Sequence, residues 1–135
     1  MLTSNVFNQS SKYKQLGGMK KDRKKLGKRN RTAGHNFERE CVKKFTELGF
    51  ENVRTSRYAS REKDDQKVDL VGTEPLNIQC KYTERINYHE ELKSMPEDTN
   101  HNIVIHKRKN KGTVVAMLWE DFEELVAIMK HEGLF

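Results

Sequence analysis

Val68-Asp69-Leu70-Val71-Gly72, a turn at Thr73-Glu74-Pro75-Leu76, and then Asn77-Ile78-Gln79-Cys80-Lys81-Tyr82 form the stretch that decides the fold. Two apolar runs flank a turn-rich connection, which predicts an antiparallel β-hairpin. Side chains alternate along a strand, so Gln79 and Lys81 share one face while Ile78, Cys80 and Tyr82 take the other. Across the hairpin, Asp69 points away from Val68 and Leu70 and can join Gln79 and Lys81. An acid, an amide and an ammonium then converge on one face of an otherwise apolar hairpin. A half-exposed hairpin with ordinary outward polar residues would show the same alternation. The helix upstream separates the two readings.

That helix is predicted to begin near Thr32, a suitable cap, with Phe37, Cys41, Phe45 and Leu48 at helical spacing and Gly49 as its stop. Glu38 falls on the flank of the apolar stripe with Val42 and Phe45. Glu40 falls with Lys44 and Glu47 on the solvent side. Glu38 is therefore the acid that can reach inward, where a carboxylate needs a partner, a metal or a proton.

A chain of 135 residues, 34% hydrophobic and 34% charged, makes one domain with a modest core plus a solvated part. No apolar run is long enough to span a membrane and no signal-peptide core follows the start, so a cytoplasmic protein with no membrane partner is expected, in a prokaryotic cell or a phage-infected host. Cys41 and Cys80 sit in apolar patterns and read as buried, reduced thiols. Together with His35 or His89 they lack zinc-ligand spacing.

The net charge of +6 is unevenly placed. Residues 1–31 carry ten Lys or Arg against Asp22 alone, a net +9, while residues 32–135 carry a net −3. The first segment has three glycines and no sustained apolar period, so it is expected to be a flexible basic arm, with residues 32–135 as the domain. Such an arm suits nucleic acid, because each neutralised phosphate releases counterions. A solubilising tail is the alternative.

Elsewhere, residues 50–58 are predicted to form a strand and residues 59–67 a polar loop. A short helix is expected over 88–95, closed by Pro96. Strands are expected over 103–107 and 113–119, joined by the basic tip Arg108-Lys109-Asn110-Lys111-Gly112. Asp121 and Glu124 suggest a capping box for a last amphipathic helix carrying Phe122, Leu125, Val126 and Met129. The predicted class is α/β, in the order α-β-β-β-α-β-β-α.

Gly34-x3-Glu38-Arg39-Glu40, Gly49-Phe50-x2-Val53-Arg54, Val68-Asp69-Leu70-Val71-Gly72 and Ile78-Gln79-Cys80-Lys81 occur in an order that resembles the PD-(D/E)XK nuclease superfamily. Within it, the pattern is most similar to archaeal-type Holliday junction resolvases and their phage relatives, over roughly residues 32–120. The resemblance implies a restriction-endonuclease-like mixed β-sheet flanked by helices, a site for Mg²⁺ or Mn²⁺, and a homodimer that cuts branched DNA such as a four-way junction. It matches Glu38 to the helix acid, Asp69 to the metal-bridging aspartate, Gln79 to the acid of the E-x-K element, and Lys81 to its lysine. It matches Arg39 and Arg54 to basic positions near DNA. Arg57 and the arm residues Lys24, Lys25, Lys28, Arg29 and Arg31 complete the expected DNA-binding set.

The chemistry of the residues agrees with those roles. Mg²⁺ favours a few carboxylate oxygens plus waters and substrate oxygens, which makes Asp69, Glu38 and the Gln79 amide oxygen the candidate ligands. Lys81 is placed to orient water or balance charge on phosphate. Two residues depart from the pattern: Val68 stands for the proline before the aspartate, and Gln79 for an acid. The second costs the site one negative charge. A non-catalytic DNA-binding descendant of the fold therefore remains as an alternative, as does a nicking or repair endonuclease.

Overall fold

The computed structural model describes the backbone from Thr3 to Phe135 and side chains from Asp22 onward. The arm residues Lys12, Lys14, Lys20 and Lys21 have side chains outside that range. The chain divides between Ala33 and Gly34 into two units. It is mixed α/β, in the order α1 (Thr3–Glu47), β1 (Arg54–Thr55), α2 (Ser56–Ala59), α3 (Arg61–Asp65), β2 (Leu70–Val71), β3 (Leu76–Tyr82), α4 (Tyr88–Lys93), β4 (His101–Lys107), β5 (Thr113–Ala116), α5 (Trp119–His131).

α1 begins at Thr3, well before the expected start at Thr32. Thr32 is an interior helical residue whose hydroxyl donates to the Lys28 carbonyl at 2.9 Å, and no cap forms there. The stop at Gly49 is as read. Gly49 takes φ 105°, its N–H donates to the Thr46 carbonyl, and the Phe50 N–H donates to the Phe45 carbonyl. The Phe45 and Phe50 rings close this Schellman turn edge to face at 5.5 Å. Leu48 belongs to the cap and is exposed, outside the apolar stripe where its spacing had put it.

The main sheet has three strands in the order β3-β4-β5, with β3 parallel to β4 and β5 antiparallel to β4. The parallel pair follows from the α4 crossover, which is capped by Asn87 accepting from the Glu90 N–H. One face of this sheet, with Ile78, Ile103 and Ile105, packs on Phe37 and Cys41 of α1 together with Val53 and Leu70. The other face presents Val104 to Leu92, Met95 and Val68.

Four sequence expectations change here. The stretches 68–72 and 77–82 form no antiparallel ladder. β2 pairs with β1 in a separate two-stranded sheet, and β3 gives its neighbouring edge to the Asp69 N–H, bonded to the Ile78 carbonyl at 2.8 Å. The strand expected over 50–58 is only Arg54–Thr55, because the chain turns into α2 at Ser56. The loop expected over 59–67 contains α3, whose cap is the Ser60 side chain accepting from the Lys63 N–H. Asp121 and Glu124 form no capping box either. α5 starts at Trp119 behind Leu118, and both acids turn to His101 instead, at 3.4 and 3.9 Å.

Gly72 holds the small sheet in place. Its φ is 87°, and a Cβ there would meet the Asn52 carbonyl oxygen at 2.5 Å. Gly72→Ala is expected to destabilise the protein by about 2 kcal/mol or more, from a strained φ and a backbone clash together. Gly112, with nothing within 4 Å of its built Cβ, is the matched control. Urea unfolding of Gly72→Ala and Gly112→Ala measures the difference.

Candidate active site

Asp69 ties β3 to the start of α2 through its N–H, its carbonyl and one carboxylate oxygen. Its carbonyl accepts from the Ser56 N–H at 2.8 Å, its N–H bonds the Ile78 carbonyl, and its Oδ2 accepts from the Cys80 N–H at 2.7 Å. The carboxylate therefore stands where a β2–β3 ladder would have put a backbone oxygen. Its position beside Cys80 is set by that bond.

Burial is the main reason the Asp69 carboxyl is pushed up to about 7. The Cys80 N–H and the Lys81 ammonium oppose the rise, while Glu38 and Asp64 add to it. Asp69 therefore lies within the electrostatic reach of both Glu38 and Lys81, the groups the sequence associated with it.

Glu38 comes from α1, half-buried, and is paired with the Arg57 guanidinium of α2. Arg57, expected to contact DNA, pairs with the helix acid and offsets its charge. Glu40, read as solvent-facing, is partly buried and pairs with Lys107 at 3.5 Å. Arg39 is exposed and donates to the Asn36 side chain, and Arg54 is exposed and donates to the Asn52 carbonyl. Lys24, Lys25, Lys28, Arg29 and Arg31 are all exposed.

Gln79 and Lys81 do share a face, as the alternation requires, and the group they share is Glu91 of α4. Gln79 Nε2 donates to Glu91 Oε2 at 2.9 Å, and Lys81 Nζ lies 3.5 Å from Glu91 Oε1. Sequence reasoning passed over Glu91. The signal was present: Tyr88, Glu91, Leu92 and Met95 follow helical spacing, and Leu92 and Met95 are buried. An acid on that stripe had to find polar partners on the sheet below.

Gln79 is buried, and its Oε1 has no hydrogen-bond partner. An unmade bond at a buried amide oxygen costs roughly 1–3 kcal/mol. Ser56 Oγ is the other such atom among the described residues. On the opposite face of β3, Ile78, Cys80 and Tyr82 pack toward α1 as expected. The Cys41 and Cys80 thiols form no disulfide and meet in a thiol–thiol hydrogen bond. That bond lowers the Cys41 thiol and raises Cys80 well above the usual range.

The candidate donors on and next to β3 are all oxygen: the Asp69 carboxylate, with Glu38 in its electrostatic reach, the idle Gln79 Oε1, and the Glu91 carboxylate against Gln79 and Lys81. That chemistry suits a hard divalent cation such as Mg²⁺ or Mn²⁺, which uses one or two carboxylates and keeps several waters. Glu38, Asp69 and Glu91 do not gather as closely as three direct ligands would. Among the described residues, the group of three acids or histidines with ligand atoms within 4.8 Å of one another is His101, Asp121 and Glu124 at the start of α5.

No protein family, curated protein or solved structure matches this chain. No helix among the described residues is long and apolar enough to cross a membrane.

The raised Asp69 carboxyl has a consequence for stability. Between an ordinary carboxylate value of 3.8 and about 7, folded protein holds a proton that the unfolded chain has released. Stability of the metal-free protein therefore falls as pH rises through that window, by up to about 1.4 kcal/mol per pH unit, and the slope ends above it. Asp69→Asn keeps an acceptor for the Cys80 N–H and removes the ionisation. Urea unfolding in chelator is expected to show the variant gaining on the wild type from about pH 5 to about pH 8.

Proposed function

We propose that this chain is a divalent-metal-dependent endonuclease that hydrolyses phosphodiester bonds of branched DNA, in the manner of a Holliday junction resolvase acting in recombination, replication or repair. The observation that carries the reading is the arrangement around one strand. Asp69 is pinned to the Cys80 N–H, and the buried amide oxygen of Gln79, the preceding residue on that strand, has no partner. The mixed sheet, with α1 on one face and α4 on the other, is read as a restriction-endonuclease-like core.

Asp69, Gln79 Oε1 and Glu38, the last through water, are the residues that would hold the cation. A bound cation supplies positive charge against the phosphate as negative charge develops there. The protein groups do the rest. Lys81, partly desolvated and held by Glu91, places an ammonium beside the scissile phosphate and orients water toward it. Arg57 holds Glu38 in one rotamer and offsets its charge. Asp69 is fixed by the Cys80 N–H, so the site is formed before substrate arrives.

The exposed basic residues of α1, from Lys24 to Arg31, suit the phosphate backbone of DNA. The exposed apolar side chains Val114, Val115, Trp119 and Phe122, on β5 and the start of α5, suit a second copy of the chain. On this reading the protein works in the cytoplasm of a prokaryotic cell or a phage-infected host. The alternative, a non-catalytic DNA-binding descendant, is favoured by one pair of facts. Position 79 carries an amide, and Glu38 is already neutralised by Arg57.

Incubation of labelled four-way junction, flap and linear duplex with the protein in Mg²⁺ and in Mn²⁺ tests the reading. Junction cleavage is expected, and Asp69→Asn and Lys81→Ala are each expected to abolish it while junction affinity stays within roughly threefold, because phosphate contacts dominate binding. Binding without cleavage in either metal decides for the non-catalytic alternative. Cleavage at the wild-type rate by either variant removes the proposed site.

Replacing Lys24, Lys25, Lys28 and Arg29 by alanine in the full chain is expected to weaken binding and to lower the slope of log K against log salt by up to about 4. An unchanged slope means that these residues do not touch DNA.

A further inference from the structure

The E-x-K position that should carry an acid carries Gln79, yet a carboxylate lies directly against it, on a different element. Glu91 reaches from α4 and touches two polar residues of this face of β3, Gln79 and Lys81. Only Gln79 Nε2 can donate to a carboxylate, so the contact with Glu91 fixes which way the amide points. It leaves Oε1 buried and without a partner on the other side. A carboxylate at position 79 could not make this bond and would repel Glu91. Positions 79 and 91 thus work as one donor–acceptor pair holding a single negative charge.

We propose that Glu91 supplies the carboxylate that position 79 lacks, so that Asp69, Glu91 and Gln79 Oε1 together form the divalent-cation site. This rests on the nuclease reading above. The phase of α4 makes the placement specific. Leu92 and Met95 bury against Val104, which holds Glu91 over the sheet, while the neighbouring Glu90 is exposed. Lys81 then has a double placement, bonded to one oxygen of Glu91 and within electrostatic reach of Asp69. Two carboxylates against one ammonium leave the site with a net negative charge, which suits a hard cation. Glu38, occupied by Arg57, is left to act on the cation only through water.

Calorimetric titration of the full-length protein with Mn²⁺ alone tests the assignment, alongside unfolding midpoints for each variant. Glu91→Gln is expected to weaken Mn²⁺ binding by roughly tenfold or more, and Glu90→Gln to leave it within about twofold. The decisive variant is the exchange Gln79→Glu with Glu91→Gln, which reverses the donor and acceptor and keeps the charge. It is expected to recover binding to within about threefold of the wild type. If Glu91→Gln alone fails to fold, the exchange carries the test. Wild-type binding by Glu91→Gln, together with loss in Asp69→Asn, overturns the role of Glu91 and leaves the nuclease reading standing. So does a folded exchange variant that binds no better than Glu91→Gln. No Mn²⁺ binding by the wild type, with no cleavage dependent on Asp69, overturns both.

Discussion

The hydrogen bond from the Cys80 N–H to Asp69 Oδ2 is the constraint on which the rest depends. β3 is an edge strand of the main sheet, and an unpaired edge exposes backbone groups that need partners. Here the partner is one aspartate, whose backbone also ties Ser56 and Ile78. A carboxylate in that role must be buried, and burial lifts its proton affinity toward neutrality. The same placement that closes the fold therefore creates a carboxylate that is costly to ionise without a cation or a protonated neighbour.

The pleat of β3 then divides the chemistry between two faces. Ile78, Cys80 and Tyr82 meet the apolar stripe of α1, with Phe37 against Tyr82 at 6.1 Å. Gln79 and Lys81 face α4, where Glu91 waits. Parallel pairing with β4 fixes the phase of the two faces: Ile78 lies beside Ile103, and Gln79 beside Val104. A shift of one residue in β3 would turn Lys81 toward α1 and Ile78 toward α4. The polar face is consequently held in register by the apolar one.

Much of this was legible before any coordinates. Alternation along Asn77–Tyr82 put Gln79 and Lys81 together, and helical spacing turned Glu38 rather than Glu40 toward the interior. Gly49 marked the end of α1, and residues 88–95, closed by Pro96, a short helix. What failed was pairing. Periodicity says which face a residue takes but not which strand lies beside it, so two adjacent apolar runs read as a hairpin when β2 pairs instead with β1. Thr32 and the Asp121–Glu124 pair fit cap patterns, yet the helix in one case and His101 in the other claimed those side chains.

Local sequence thus determined the elements and the faces of α1, β3 and α4, because those follow from backbone geometry and the burial of apolar atoms. The tertiary structure alone decided the partners. Arg57 reached Glu38 across 19 positions and Glu91 reached Gln79 across 12, distances over which no local pattern carries information. Charges find one another only after the core has set where each helix lies over the sheet.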